Sequence, residues 1–178
     1  MWLIGFSEIC EKLGISDKAT EYAEIAKKYA DSFLERAQNS DGSYRLAYDI
    51  PETFSLKYNA VWDKLWKTEL LPKTFFDGEI KRYKKEALPY GVPLDNRELY
   101  TTSNWLLWAA CLTDNREDFE FFTNLLWSYY NTTRKHIPMN DWYYVDTAEA
   151  VVWTDGKKNF SFQNRTVQGG LFIKLLFD

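Results

Sequence analysis

Histidine and cysteine are scarce in this sequence, which contains one histidine and two cysteines in 178 residues. His136 has no second histidine or nearby cysteine to complete a zinc site, and Cys10 and Cys111 lie too far apart to form a ligand spacing. The chain also lacks a glycine-rich nucleotide motif and any Ser–His or Cys–His pair typical of a nucleophilic triad. We therefore expect no metal and no cofactor, while the redox compartment of the protein stays open.

Basic residues do not outnumber acidic ones: 22 Lys and Arg stand against 26 Asp and Glu, which gives a formal net charge of −4. Because no basic stripe is available to contact phosphates, the sequence predicts no nucleic-acid partner. No apolar run approaches the length of a membrane span, and the apolar start 1–4 is too short for a signal peptide, so we expect no membrane partner. The basic cluster 81–85, flanked by Glu79 and Glu86, is predicted to be a solvated helix face.

Aromatic residues, in contrast, are abundant: eight Trp, twelve Tyr and twelve Phe make up 18% of the chain. Most of them are expected to fill a thick helical core, although such residues also line grooves that stack on sugars. The length fits a single helical domain, which we assign to residues 1–178. No cap precedes the first predicted helix, which leads us to expect that the chain is a segment of a longer protein.

Apolar residues recur at helical spacing along most of the chain. The strongest amphipathic pattern, at 16–37, predicts a helix that Ser16 caps and that packs as an antiparallel pair against the first helix. Asp114, with Glu117 at the capping-box position, is expected to begin a later helix. Further helices are predicted over residues 1–13, 59–71, 73–86, 105–112, 114–130 and 171–177.

The predicted fold class is all-α, because helices follow one another along the chain with alternating short turns and long loops. The helices are expected to stack as antiparallel hairpins. One small β-hairpin is predicted in a loop, around Asp155-Gly156, where apolar residues flank a turn signal on both sides.

A loop without helical character, residues 88–105, joins two of these helices and carries a candidate site. Asp95 and Arg97 are two residues apart, so in an extended segment their side chains point to the same side. Trp105 belongs to the first turn of the following helix. The loop is either an ordered connector fixed by its own Asp and Arg or a polar binding site beside an aromatic helix end.

Five motifs in the second half of the chain form a specific series. They are Tyr90-Gly-Val-Pro-Leu-Asp-Asn-Arg97, Tyr100-Thr-Thr-Ser-Asn-Trp105, Asp141-Trp-Tyr143 with Asp146-Thr147, Phe162-Gln-Asn-Arg165, and Val167-Gln-Gly-Gly-Leu-Phe-Ile-Lys-Leu175. This series resembles the C-terminal region of the glutaminase A family, which is found in fungi and in Bacteroidetes-type bacteria. The resemblance covers nearly the whole chain, and we expect a bacterial, Bacteroidetes-type member.

The resemblance implies an all-helical toroid of paired helices, similar to the six-hairpin glycosidases, of which this chain would be the C-terminal segment. It also implies a secreted or periplasmic enzyme that hydrolyses L-glutamine to glutamate and ammonia. The N-terminal remainder of the same protein would then be a partner, and the isolated segment need not be active. Two departures from the family pattern predict a changed site: Asn104 stands where the family places Asp, and Tyr144-Val145 separates the acidic–aromatic motif from Asp146.

Hydrolysis of an amide needs a nucleophile or an activated water, and an acid for the leaving ammonia. Substrate recognition needs partners for the charged ends of glutamine, and arginine suits a carboxylate. The residues matched by the resemblance supply both kinds of group. The candidate catalytic residues are Asp95, Asp141 and Asp146, and the candidate substrate-binding residues are Arg97, Trp105, Trp142 and Arg165.

Each of these candidates has a structural alternative: a loop-fixing hydrogen bond or an arginine partner for each aspartate, and core packing for the tryptophans. The alternative function is a carbohydrate-active, glycosidase-like domain or a non-catalytic sugar-binding or structural helical module, so the small-molecule substrate is either glutamine or a sugar. Two carboxyl groups facing one cleft would favour paired catalysis. Aspartates buried against arginines in separate loops would favour the structural class.

Overall fold

The structure, a computed structural model, describes residues 1–134 and 138–177. It confirms the predicted all-α fold of helix hairpins with small two-stranded antiparallel sheets. His136, considered above as a zinc ligand, lies outside the described residues. Within them, no helix has both the length and the apolar character that a bilayer crossing requires, and no group of His, Cys, Asp and Glu is arranged to hold a metal ion.

Helices in the described chain lie close to the predicted positions. The α-helices are α1 (Trp2–Lys12), α2 (Ser16–Ala37), α3 (Val61–Trp66), α4 (Lys73–Glu86), α5 (Ser103–Ala110) and α6 (Arg116–Thr132). A short 3₁₀ helix covers Tyr58–Ala60, and a longer one covers Thr166–Leu176. The last helix therefore begins before residue 171, where the sequence predicted its start, and it is a 3₁₀ helix.

Both predicted helix caps are wrong by one residue. Ser16 is the first residue of α2, so the N-cap position falls to Ile15, and no side chain caps this end. Helix α6 is capped by Asn115 instead of Asp114, because the Asn115 side-chain oxygen accepts a hydrogen bond from the Asp118 N–H at 3.0 Å. Asn and Asp cap helices about equally well, so the sequence alone could not choose between these two neighbours.

Helices α1 and α2 pack as the predicted antiparallel pair. The Ser7 hydroxyl donates a hydrogen bond of 2.6 Å to the carbonyl of Ala19, and the ring centroids of Phe6 and Tyr22 lie 4.8 Å apart. Gly14 turns the chain between the two helices with a φ of 74°, a conformation that glycine adopts without steric cost.

Helix α4 lies against the core, which corrects the prediction that its basic cluster is a solvated face. Glu79 and Tyr83 are fully buried, and Arg82 is nearly so, whereas the lysines of the cluster remain exposed. These three residues share one helix face because they are spaced three and four apart. Gly78 allows a close approach on α4, since a Cβ atom there would lie 2.2 Å from the backbone oxygen of Gly42.

Two small antiparallel sheets complete the fold. Strand β1 (Tyr100–Thr102) pairs with β2 (Trp142–Tyr144), an unpredicted ladder that aligns Tyr100 with Tyr144 and Thr102 with Trp142. Strand β1 runs directly into α5, which begins at Ser103. Strands β3 (Trp153–Thr154) and β4 (Asn159–Phe160) form the predicted β-hairpin.

Candidate functional site

Asp95 and Arg97 form a bidentate ion pair within the loop that precedes β1. Arg97 donates through Nε to Asp95 Oδ1 at 2.9 Å and through a terminal nitrogen to Oδ2 at 2.7 Å. The backbone N–H of Arg97 also donates to Oδ1 at 2.9 Å. These hydrogen bonds lower the pKa of Asp95, so its carboxylate is ionised at neutral pH. Asp95 is buried, but 72% of the Arg97 side chain is exposed.

The Asp95–Arg97 pair lines an open cavity of about 500 Å³ together with Trp105. Trp105, in the first turn of α5, stacks on Tyr58 with ring centroids 4.2 Å apart and planes inclined by 3°. Lys57 also lines this cavity. The structure thus brings three of the predicted site residues together with an aromatic pair and a second cation.

Lys57 was not predicted from the sequence, because it lies in a stretch without a periodic apolar pattern. Its ammonium group donates hydrogen bonds to the Tyr44 carbonyl at 2.9 Å, the Ser55 carbonyl at 3.2 Å and the Ser55 hydroxyl at 2.8 Å. Burial lowers the pKa of Lys57, while the charges of Glu79 and Asp95 act in the opposite direction. Because its three N–H donors are engaged, Lys57 affects a ligand in the cavity through its charge.

A closed ring of hydrogen bonds connects Lys57 to α4. The Tyr83 hydroxyl donates to Glu79 Oε2 at 2.5 Å and accepts from the Lys57 backbone N–H at 2.7 Å. Glu79 Oε1 accepts from the Tyr44 N–H at 2.6 Å, and the Tyr44 carbonyl accepts from Lys57. Burial raises the pKa of Glu79, against the charge of Lys57 and these hydrogen bonds. The helical spacing of Glu79 from Phe75 and Phe76 was the signal that could have indicated its burial.

Asp141 and Arg165 form a second ion pair, in which Arg165 Nε donates to Asp141 Oδ1 at 3.1 Å and a terminal nitrogen donates to Oδ2. The Asp141 side chain is fully buried, whereas 35% of the Arg165 side chain is exposed. The guanidinium of Arg165 lies 3.7 Å from the ring centroid of Phe162. The Asp141 carbonyl accepts a hydrogen bond from the Ser103 N–H at 2.9 Å, which connects the pair to the first residue of α5.

The remaining predicted site residues lie away from the 500 Å³ cavity. Trp142 packs between Tyr100 and Phe162, with both ring centroids 5.1 Å away. Asp146 lies in an exposed turn that follows β2. Neither residue lines the cavity, and neither do Asp141 and Arg165. The structure therefore places the predicted residues in two separate groups, and each of two aspartates is bound by its own arginine.

A larger cavity, of about 1010 Å³, lies beside α3, α4 and the connection between α5 and α6. It is lined by charged residues that pair with one another, such as Lys64 with Asp114 at 2.6 Å and Lys84 with Asp118 at 2.5 Å. It contains none of the predicted site residues. The smaller cavity is the better candidate site, because it combines an exposed guanidinium, an ionised carboxylate and stacked aromatic rings.

Comparison with known families identifies the protein family of this chain. Residues 2–175 match the family described as the glutaminase A six helical-hairpin domain. The chain belongs to the glutaminase A six-hairpin family. This membership confirms the family resemblance inferred from the motifs and agrees with the hairpins of the fold.

Two fungal proteins are similar to this glutaminase A-family domain. Glutaminase A of Aspergillus oryzae is 28% identical over 171 residues, which cover 94% of this chain and 24% of that protein. A probable glutaminase of Arthroderma benhamiae is 22% identical over 200 residues, which cover 97% of this chain and 22% of that protein. The glutaminase A-family domain described here therefore spans about a quarter of the length of these relatives.

Proposed function

We propose that this chain is part of an enzyme that hydrolyses L-glutamine to glutamate and ammonia, and that it contributes a substrate-binding wall. The proposal is supported by family membership and by two relatives named as glutaminases. The observation that carries it is the Arg97 guanidinium, which is held by Asp95 at the cavity and is still largely exposed. An arginine that is held in place and remains exposed is suited to bind the carboxylate of an amino acid.

The other groups of the cavity complement the same ligand. The ionised Asp95 carboxylate offers a negative charge for the α-ammonium group of glutamine, and the charge of Lys57 favours the α-carboxylate. The stacked rings of Tyr58 and Trp105 provide an apolar wall for the methylene groups of the glutamine side chain. A zwitterion with a short apolar chain matches this combination of charges and rings.

The three predicted catalytic aspartates differ in what they are free to do. Both oxygens of Asp95 and both oxygens of Asp141 are bound by arginines, which suits electrostatic and positioning roles. Asp146 has an exposed side chain and is free to meet a substrate or a water molecule. Because Asp146 lies away from the cavity that would hold glutamine, we propose that the acid and base of the reaction come from outside this cavity, with Asp95 and Asp141 holding Arg97 and Arg165 in place.

A sugar-binding or structural helical module is the second candidate, and a specific observation favours it. The Tyr58–Trp105 stack continues through Trp108 into a second stacked pair formed by Trp62 and Trp66. Such a series of rings suits the faces of sugar units. The two aspartates bound by arginines in separate loops also favour this module over a pair of catalytic carboxylates.

Titration calorimetry of the 178-residue chain with L-glutamine and with an oligosaccharide distinguishes the two candidates. We expect glutamine to bind and Arg97→Met to weaken binding roughly 10- to 100-fold, the loss expected for charge-assisted hydrogen bonds. Arg116→Met is the matched control, because Arg116 is also exposed and paired with an acidic residue, Glu120, away from the cavity. Unchanged glutamine affinity in Arg97→Met would contradict the proposal, and binding of the oligosaccharide alone would favour the second candidate.

Ammonia release from L-glutamine by the same chain tests where the reaction groups lie. Release that is lost in Asp146→Asn would place a reaction group in this segment. A folded chain that binds glutamine without releasing ammonia would place those groups in the rest of the enzyme. A secreted or periplasmic location and a Bacteroidetes-type origin stay predictions, and the two relatives found are fungal.

A further inference from the structure

Glu79 is a buried acidic residue close to the candidate cavity. Among the described residues, the charged side chains that line the 500 Å³ cavity are Lys57, Asp95 and Arg97, whose formal charges add up to +1. Glu79 lies on α4, is fully buried and does not line the cavity. Its effect on a ligand therefore depends on its connection to Lys57.

Hydrogen bonds indicate that both Lys57 and Glu79 are charged. The side-chain nitrogen of Lys57 donates to the carbonyls of Tyr44 and Ser55 and to the Ser55 hydroxyl. Three N–H donors are present only in the ammonium form. Both oxygens of Glu79 accept, Oε1 from the Tyr44 N–H at 2.6 Å and Oε2 from the Tyr83 hydroxyl at 2.5 Å. A carboxylate that accepts at both oxygens matches the ionised form.

The backbone of Tyr44 links these two charges. Its carbonyl accepts from Lys57, and its N–H donates to Glu79. Burial lowers the pKa of Lys57, and the charges of Glu79 and Asp95 oppose that effect. Lys57 therefore interacts with one carboxylate in the core and with one at the cavity. The charges alternate in sign from Glu79 in the core to the exposed guanidinium of Arg97.

Arg82 does not compensate the charge of Glu79, although it lies on the same helix. Its guanidinium is paired with Asp41 and with Glu86, at 2.9 Å in each case. When Glu79 is counted with the three charged side chains of the cavity, the formal charge is zero. A buried charge costs desolvation free energy that an uncharged acceptor would avoid, so structural support alone does not explain a carboxylate at this position.

We propose that Glu79 is a specificity-determining residue, whose buried charge offsets that of Lys57 so that the cavity prefers glutamine to glutamate. This inference rests on the proposed function. Hydrolysis uses water to replace the neutral side-chain amide of glutamine by a carboxylate and releases the nitrogen as ammonium, so the amino-acid product has one more negative charge than the substrate. Surroundings with a formal charge of +1 would retain this anion, whereas neutral surroundings favour the zwitterionic substrate and let the product leave.

Titration calorimetry of the 178-residue chain with L-glutamine and with L-glutamate tests this proposal through the ratio of the two affinities. The unmodified chain should bind glutamine more tightly than glutamate. In Glu79→Gln, the affinity for glutamate relative to glutamine should rise roughly 3- to 10-fold, the effect of removing one charge about 10 Å from the ligand. A merely structural role would weaken the binding of both amino acids and would not shift the ratio towards glutamate.

Asp63→Asn is the matched control. Asp63 is also a buried carboxylate, which accepts from the Leu70 N–H at 2.9 Å and from the Thr68 hydroxyl at 2.5 Å. It lines the larger cavity and does not line the smaller one. Asp63→Asn should therefore leave the ratio of the glutamate and glutamine affinities unchanged.

Lys57→Met supplies the opposite change in charge. Alone, it should shift the ratio of affinities further towards glutamine, and this comparison holds even if Glu79→Gln does not fold. Combined with Glu79→Gln, it removes one charge of each sign and should return the ratio to that of the unmodified chain. Circular dichroism and urea unfolding establish that each variant is folded.

The outcomes separate this inference from the proposed function. If glutamine binds, an unchanged ratio in folded Glu79→Gln would overturn the role of Glu79 and leave the proposed function standing. Tighter binding of glutamate than of glutamine by the unmodified chain would do the same. If neither amino acid binds the unmodified chain, the proposed glutamine-binding wall and the role of Glu79 are both refuted.

Discussion

The hydroxyl of Tyr83 donates a 2.5 Å hydrogen bond to the carboxylate of Glu79, and both side chains are fully buried in the core. Glu79 also accepts a hydrogen bond from the Tyr44 N–H. Glu79→Ala leaves both donors without this acceptor, and we expect the free energy of unfolding to fall by about 2–5 kcal/mol, measured by urea denaturation.

Glu79→Gln is the control for this prediction, because it keeps an acceptor oxygen and removes the charge. Burial raises the pKa of Glu79 above its unfolded value, so its stabilising contribution is present at low pH and is lost as the pH rises through the folded-state pKa. As the pH increases, the free energy of unfolding of Glu79→Gln should therefore rise relative to that of the unmodified protein. The opposite trend would contradict a raised pKa.

Asp41 should stabilise the fold with the opposite pH dependence. Burial pushes the pKa of Asp41 upward, but hydrogen bonds from Ser43 and Arg82 outweigh this effect and lower the pKa from its ordinary value of 3.8 to about 2. The stabilising contribution is therefore present above about pH 4 and is lost as the pH falls through about 2. Asp41→Asn should be destabilised at pH 5 to 7, and the difference should vanish in acid.

Urea unfolding at a series of pH values measures this effect. Asp77→Asn is the control, since the pair of Asp77 with Lys73 is solvent-exposed and such pairs contribute little. A constant difference between Asp41→Asn and the unmodified protein across the acid range would show that the charge of Asp41 is not responsible.

Arg165 should be required for stability because it neutralises a buried charge. Removal of the guanidinium in Arg165→Met leaves the fully buried Asp141 carboxylate unpaired, which costs about 3–5 kcal/mol. The double variant Asp141→Asn with Arg165→Met should recover part of the loss, because no buried charge remains. Thermal or urea unfolding of the single and double variants measures both effects, and equal stability of the two would contradict this account.

Gly78→Ala should destabilise the protein even though alanine is the better helix former. The added Cβ would lie 2.2 Å from the Gly42 oxygen and 2.9 Å from its carbonyl carbon, and both are backbone atoms that cannot rotate away. We expect the free energy of unfolding to fall by about 1–3 kcal/mol, the range for overpacking. Gly5→Ala in the same 178-residue chain is the control, because its Cβ meets open space. Similar midpoints for the two variants would contradict the proposed contact.

The helices could be predicted from the sequence because each amphipathic pattern is local. The burial of Glu79 was missed because a glutamate beside lysines favours a solvated position on average, and only the tertiary packing of α4 supplies its partners. The β1–β2 ladder was missed for a related reason. Its three-residue strands are too short for a periodic signal, and their partners lie about 40 residues apart.

The candidate site, too, could be predicted from the sequence only where its contacts are local. The sequence predicted that the Asp95 and Arg97 side chains lie together, but it expected an extended segment, whereas Asn96 and Arg97 form a turn in which the Arg97 N–H donates to the Asp95 side chain. The approach of Lys57 and Tyr58 to Asp95 and Trp105 depends on how separate loops pack, which no local pattern encodes. The arginine partner of Asp141 was left open as an alternative, and the structure identifies it as Arg165.

Because β1 runs directly into α5, the register of the β1–β2 ladder determines how α5 is rotated about its own axis. Since no residue separates Thr102 from Ser103, a slip of one residue in the ladder would turn the start of α5 by about 100° and carry Trp105 away from Tyr58. The register is anchored at the Asp141 end, where the ion pair with Arg165 immediately precedes β2. The two groups of site residues are thus structurally coupled. Asp141 fixes the orientation of the Trp105 ring in a cavity that Asp141 does not itself line.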